Sequence, residues 1–240
     1  MRLFLRNLTH ELSGPLTPLA GHVELLSGHD QSGLSPLQKR CINALERATK
    51  RLRRFNDQVL EVARLERGAH RVKLEETDLE ALIRQAVEQC RLSLEKGGVE
   101  ATVEPASPDL TATRIRTDET LLKKMVVGLV ENSAAFCPEG SEVRIEARAV
   151  TPPENDQPEG GEPTRRLELR VEDNGPGVPP DSLEDIFRPF FRVGPPARTI
   201  GPGLGLTGVR LAAHLLRGTV RAELADPGLR VILTLPLHSI

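Results

Sequence analysis

ENSAAF, residues 131–136, closes a run in which Leu122, Met125, Val126 and Leu129 recur at spacings of three and four. That period predicts a helix over 118–136. Asn132 stands on it with small neighbours, Gly128 and Ser133, so its amide is set to face a ligand rather than to pack. An amide oxygen is a hard ligand, suited to a Mg²⁺ ion that keeps waters and shares phosphate oxygens. Two glycine segments follow. DNGPGV at 173–178 comes directly after the alternating strand pattern Leu167, Leu169, Val171. The Asp173 carboxylate can accept from the exocyclic amine of adenine, whereas guanine presents a carbonyl at that edge. Gly175 and Gly177 let the backbone approach a flat base closely. GPGLGL at 201–206 places Gly201, Gly203 and Gly205 around a helix that begins near Leu204, where bare N–H groups and the helix dipole attract phosphate. One glycine segment alone is commonplace; the three in this order describe a site for an adenine nucleotide and a divalent cation.

Outward from these segments the pattern is mixed. Helices at 78–95, 118–136 and 204–216 alternate with strands near 99–103, 112–116, 142–150, 166–172, 219–224 and 230–235. A short strand signal at Val72–Leu74 precedes Thr77 and Asp78, a helix start. Strands 142–150 and 166–172 alternate apolar and polar residues, as in a sheet with one wet face and one face packed on helices. TPPENDQPEGGEPT between them carries four prolines and no large apolar residue, so a loop is expected there. The N-terminal third reads differently. Leu5, Leu8, Leu12, Leu16, Leu19, Val23 and Leu26 form one helical stripe. Ser35 and Pro36 then start a second helix, whose near-heptad stripe of Leu37, Cys41, Leu45, Ala48, Leu52, Phe55, Val59, Val62 and Leu65 stops at Gly68. Two such helices expose more apolar surface than one hairpin can bury, so pairing with a second copy into a four-helix bundle is expected.

Composition narrows the class. A formal net charge of -2 over 240 residues gives no electrostatic case for nucleic acid, and the basic run RATKRLRRF at 47–55 reads as the wet face of a helix. No apolar stretch reaches the roughly 18 residues of a membrane span and no signal-peptide pattern is present, so the expectation is a cytoplasmic chain that does not itself contact a membrane. Cys41, Cys90 and Cys137 lack the spacing of a zinc site or a disulfide framework.

A fourth segment, THELSGPLTPL at 9–19, puts His10 beside Glu11. A neutral imidazole attacks through one nitrogen while a carboxylate holds the proton on the other and stabilises the cation that forms. Pro15 lacks the N–H that would bond the carbonyl of Glu11, so the helix is expected to bend just after the histidine. With all four segments on one chain, the sequence resembles a two-component sensor histidine kinase of the HisKA type, whose ATP-binding domain belongs to the superfamily shared with gyrase and MutL. FRPFFR at 187–192 also matches that family's phenylalanine-rich box. The resemblance covers nearly the whole chain.

The resemblance implies an α+β fold: a dimerising helical hairpin at 1–68, then an α/β sandwich at 69–240 that binds ATP and Mg²⁺. It implies phosphorylation of His10, assisted by Glu11, and transfer to an aspartate on the receiver domain of a response regulator. In the family the Asn132 position is the magnesium ligand, Phe136 the aromatic near the nucleotide, and Arg192 the residue that reaches the terminal phosphate before a mobile lid at 193–200. Any sensor region is expected to lie outside this chain, which leaves a membrane link through it open.

Departures keep two other readings in view. Ala135 stands where a Lys or Arg is frequent, Pro202 removes a donor from the phosphate loop, and Gly14 cannot orient a water as the family's phosphatase activity is thought to require. A degenerate kinase acting as a binding scaffold would account for these. A hydrolytic ATPase of the same superfamily is the other alternative, against which stand the His10 segment and Gly128, which is not the glutamate that activates water in hydrolytic members.

Overall fold

The computed structural model describes residues 16–28, 33–68, 70–107, 110, 115–151, 165–193 and 202–237. His10, Glu11, the bend expected at Pro15, most of the 151–164 loop, most of the 193–200 lid and Gly201 lie outside them. The chain forms two compact units, Met1–Ala69 and His70–Ile240.

In the first unit, helix α1 covers 16–28 and helix α2 is Pro36–Glu66. The start of α2 follows from its residues: Pro36 opens the helix, Gln38 donates its N–H to Ser35 Oγ at 3.3 Å, and the Gln38 side chain accepts the Ser35 N–H at 2.8 Å. Past its end, Gly68 takes a left-handed φ of 60°. Only part of each expected stripe is covered within the single chain. Leu16, Val23, Val59, Val62 and Leu65 are buried, but Leu19, Leu26, Leu37, Leu45 and Leu52 are exposed. Thr49 and Asn56, seven residues apart on α2 and beside the expected stripe rather than on it, are buried, while Ala48 of the stripe is exposed.

The second unit holds strands β1 (Glu75–Thr77), β2 (Glu100–Val103), β3 (Ile115–Thr117), β4 (Glu142–Val150), β5 (Arg166–Asp173), β6 (Thr219–Ala225) and β7 (Gly228–Pro236). Between them run helices α3 (Leu79–Gln89), α4 (Arg91–Gly97), α5 (Glu119–Phe136) and α6 (Gly205–Leu215). The main sheet is ordered β2-β4-β5-β7-β6, with only the β2–β4 pair parallel; β1 and β3 pair antiparallel in a separate ribbon.

The core lies between the sheet and α5. Val143, Ile145, Ala147, Leu167, Leu169, Val171, Val231, Leu233 and Leu235 point inward, and Leu121, Leu122, Met125, Val126, Leu129 and Val130 of α5 meet them almost wholly buried. At roughly 1.5–3 kcal/mol per fully buried large apolar side chain, this layer is the dominant stabilising contribution. The other face is a cross-strand pattern of opposite charges: Arg144 opposite Glu172, Glu146 opposite Arg170, Arg148 opposite Glu168, and Glu172 in turn opposite Arg230. Glu168 is buried and accepts from Arg148 Nε at 2.9 Å and Arg170 Nε at 2.8 Å.

Three elements differ from the sequence reading. The helix expected at 78–95 is two helices, α3 and α4, broken at Cys90. There the Ser93 and Leu94 N–H groups both bond the Cys90 carbonyl, and the thiol is buried 3.9 Å from the Val127 carbonyl. The strand expected at Val72–Leu74 falls at Glu75–Thr77, because its register is set by β3. The Lys73 N–H instead donates to Asp118 Oδ2 at 2.9 Å. The strand expected near 112–116 is β3, Ile115–Thr117, with 111–114 outside the described residues.

Candidate nucleotide site

Helix α5 supplies one wall of the site. Asp118 caps its N-terminus, accepting the Leu121 N–H on Oδ1 at 3.0 Å, while Oδ2 accepts the Lys73 N–H and lies 2.8 Å from His70 Nε2. Burial alone would raise the Asp118 pKa, but these hydrogen bonds and the nearby His70 hold it below the ordinary carboxylate range. At the other end of α5, Asn132 is half-buried and Phe136 is exposed.

Asp173, at the end of β5, is 7% exposed and ringed by donors. Its Oδ2 accepts the Ser133 hydroxyl at 2.8 Å, and its Oδ1 accepts the Gly175 N–H at 3.1 Å and the Leu229 N–H at 3.2 Å. The Cys137 thiol lies at the same carboxylate. Burial first, then the Asp173 charge and a hydrogen bond to it, push that thiol up to about 12. The glycines are required by space. A Cβ on Gly175 would stand 2.6 Å from Cys137 Sγ, and Gly177, at a φ of 64°, would press within 2.9 Å of the Gly228 carbonyl oxygen.

The second wall is the start of α6. Its N-cap residue, Leu204, makes no side-chain capping bond, so the first N–H groups are not satisfied in that way. The Leu204 side chain is itself core, only 3% exposed, so a ligand would meet this residue through its backbone. Gly205 is exposed, and Gly203 adopts a φ of 73°. A Cβ on Gly203 would fall 2.6 Å from the Phe191 carbonyl oxygen, which ties the glycine segment to FRPFFR. Phe190 donates its N–H to the Gly203 carbonyl at 3.0 Å, and Thr207 Oγ1 donates to the Phe187 carbonyl at 3.2 Å. Arg192 follows, half-buried.

Gly128 lets the two walls meet. A Cβ there would lie 3.0 Å from Val209 Cγ2 and 3.8 Å from the Gly205 carbonyl oxygen, so a larger residue would push Val209 back by a few tenths of an ångström from the helix that carries Asn132. The structure thus gathers Asn132, Phe136, Asp173, Gly175, Gly177, Arg192, Gly203 and Gly205 onto connected elements of the second unit. Sequence reasoning missed Ser133, Cys137, Gly228 and Leu229 as partners of Asp173. Ser133 carries a signal in hindsight, as the residue next to Asn132. The Leu229 N–H carries none, since it arrives from 56 residues away.

A buried acceptor beside a half-buried amide and an uncapped helix start is a pocket chemistry for a base at one end and an anion at the other. Comparison with known proteins agrees. Residues 117–239 match the family of histidine kinase-, DNA gyrase B- and HSP90-like ATPases, and residues 1–68 match the His Kinase A (phospho-acceptor) domain. The chain belongs to the two-component sensor histidine kinases of that ATPase family.

Among its relatives, the sensor protein KdpD of Escherichia coli is 29% identical over 90% of this chain and 22% of its own length. The sensor-like histidine kinase SenX3 of Mycobacterium tuberculosis is 29% identical over 100% of this chain and 54% of its own length. The crystal structure of full-length ShkA in complex with AMPPNP superposes with a TM-score of 0.76 at 28% identity, covering 100% of this chain and 47% of that one. The chain therefore spans between about a fifth and about half of these proteins.

Proposed function

We propose that the second unit binds ATP and that its terminal phosphoryl group passes to His10, then to an aspartate on the receiver domain of a response regulator. In this reading residues 1–68 form the dimerisation and phosphotransfer domain and residues 69–240 the catalytic domain. The observation that carries it is the buried Asp173 carboxylate, offering an acceptor for the adenine amine on the same framework that holds Asn132 and the uncapped start of α6. The AMPPNP bound to ShkA supports the choice of nucleotide.

Among the described residues no group of three or more His, Cys, Asp or Glu is arranged to hold a metal. The amide oxygen of half-buried Asn132 is a hard donor that fits Mg²⁺, which takes few protein ligands and shares phosphate oxygens; Asn132 is the residue assigned to hold it. The bound cation supplies charge neutralisation on the phosphates. The chain's own part is to position: Asp173 fixes the base, the α6 N–H groups and Arg192 the phosphates, and Glu11 keeps the attacking nitrogen of His10 free of its proton.

The exposed Leu19, Leu26, Leu37, Leu45 and Leu52 support a homodimer, since helices with open apolar stripes pair. No helix among the described residues is long and apolar enough to cross a membrane. Incubating the chain with γ-labelled ATP tests the assignment. The expected product is acid-labile and base-stable, and His10→Gln abolishes it while ADP binding persists. Label remaining on the variant would overturn the reading.

A further inference from the structure

The Asp173 carboxylate is held from three directions. Its own turn supplies the Gly175 N–H, β7 supplies the Leu229 N–H, and α5 supplies the Ser133 hydroxyl. The two amides both go to Oδ1 and the hydroxyl alone goes to Oδ2. A carboxylate has about four acceptor positions, two on each oxygen. Oδ1 is therefore filled by backbone, and Oδ2 keeps one position. The Cys137 thiol at this carboxylate is a weak donor that an amine N–H outcompetes.

We propose that Ser133 is a positioning residue for base recognition: by tying Oδ2 of Asp173 to α5, its hydroxyl aims the remaining acceptor position at the exocyclic amine of a 6-aminopurine. The proposal rests on the nucleotide reading of this pocket. Rotation about the Cβ–Cγ bond carries both oxygens together, so with amides on Oδ1 alone the plane of the carboxylate is held from one side only. Ser133, itself buried, holds it from the other by fixing Oδ2. The same contact joins the base to the residue next to Asn132, so base and cation are read by one turn of one helix.

The test is calorimetric binding of two probes to the 240-residue chain: ADP, and purine riboside 5′-diphosphate, which lacks only the exocyclic amine. Wild type should prefer ADP. Ser133→Ala should lose about fivefold in ADP affinity, the worth of one hydrogen bond, and keep its affinity for the deamino probe. The ratio of the two affinities in one sample does not depend on the folded fraction, so partial misfolding leaves the readout intact. Ser133→Thr, which keeps the hydroxyl, should return the ratio toward wild type. If Ser133→Ala leaves the ratio unchanged, or weakens both probes equally, the positioning role is refuted while the pocket stands. If wild type itself fails to distinguish the probes, the adenine reading of Asp173 falls, and this proposal with it.

Discussion

Asp118 offers a perturbation whose size can be worked from geometry. It makes three interactions with two oxygens: Oδ1 caps α5 through the Leu121 N–H, and Oδ2 takes the Lys73 N–H and faces His70. Asp118→Asn keeps the Oδ1 acceptor but can set an amide donor against two donors. His70 can rotate away and Lys73 is an exposed residue whose N–H can find water, so the cost sits at the low end for a lost charged hydrogen bond, about 1.5 kcal/mol. Asp118→Ala also removes the cap, worth about 1 kcal/mol more, for a total of roughly 2.5 kcal/mol. The chain has no Trp or Tyr, so urea unfolding is followed by far-ultraviolet circular dichroism, with amide exchange at Lys73 and Leu121 as the local probe. The pH dependence has a fixed sign. A carboxylate held below its unfolded pKa of about 3.9 contributes fully above that value and loses its contribution as pH falls through the lower folded one. The gap between wild type and Asp118→Ala should therefore close as pH falls below the carboxylate range. Equal stability of wild type and Asp118→Ala at pH 7, or a gap that persists once the carboxylate is protonated, would refute the reasoning.

Two glycines should respond in opposite directions. A Cβ on Gly228 would fall 1.7 Å from the Asp173 carbonyl oxygen at a φ of 115°, so Gly228→Ala is expected to cost more than about 3 kcal/mol in urea unfolding and to weaken ADP binding by displacing the Leu229 N–H. Gly208 lies inside α6 with nothing within 4 Å of an added Cβ, so Gly208→Ala should raise stability by about 1 kcal/mol. Two thiols should resist labelling: Cys90 and Cys137, both pushed up to about 12 chiefly by burial, should react slowly with iodoacetamide at pH 8 in the folded chain and only after Cys41 once urea begins to open the second unit. Peptide mapping of the alkylated chain checks the order, and rapid labelling of Cys137 would contradict the structure around Asp173.

What could be read from sequence was local or periodic. Strands β4 and β5 announce themselves by alternation, α2 by Ser35-Pro36, and Asp173 by its place directly before two turn glycines. Contacts that close over distance were not legible. Ser133 reaches Asp173 across 40 residues, and only the fold decides that its hydroxyl turns there. Nothing at Cys90 signals a break, because Leu82, Ile83, Ala86 and Leu94 keep helical spacing through it. The β1 ribbon moved because register belongs to a pair of strands rather than to either sequence alone. On α2, the burial of Thr49 and Asn56 follows from how α2 packs, which periodicity of apolar residues does not report.

The charged face of the sheet bears on how faithfully β4 and β5 find each other. Their inward residues are interchangeable aliphatics, so a slip of two residues keeps every apolar side chain inside, and a connection of the length of 151–165 spans either alignment equally well. Charge does what the core and the loop do not. Shifted two residues one way, Glu146 meets Glu172 and Arg148 meets Arg170; shifted the other way, Arg144 meets Arg170 and Glu146 meets Glu168. Each misalignment pairs like with like, and only the native one pairs every opposite. Proofreading of the hairpin is thus written on its solvent side, and it guards the placement of Asp173, the last residue of β5.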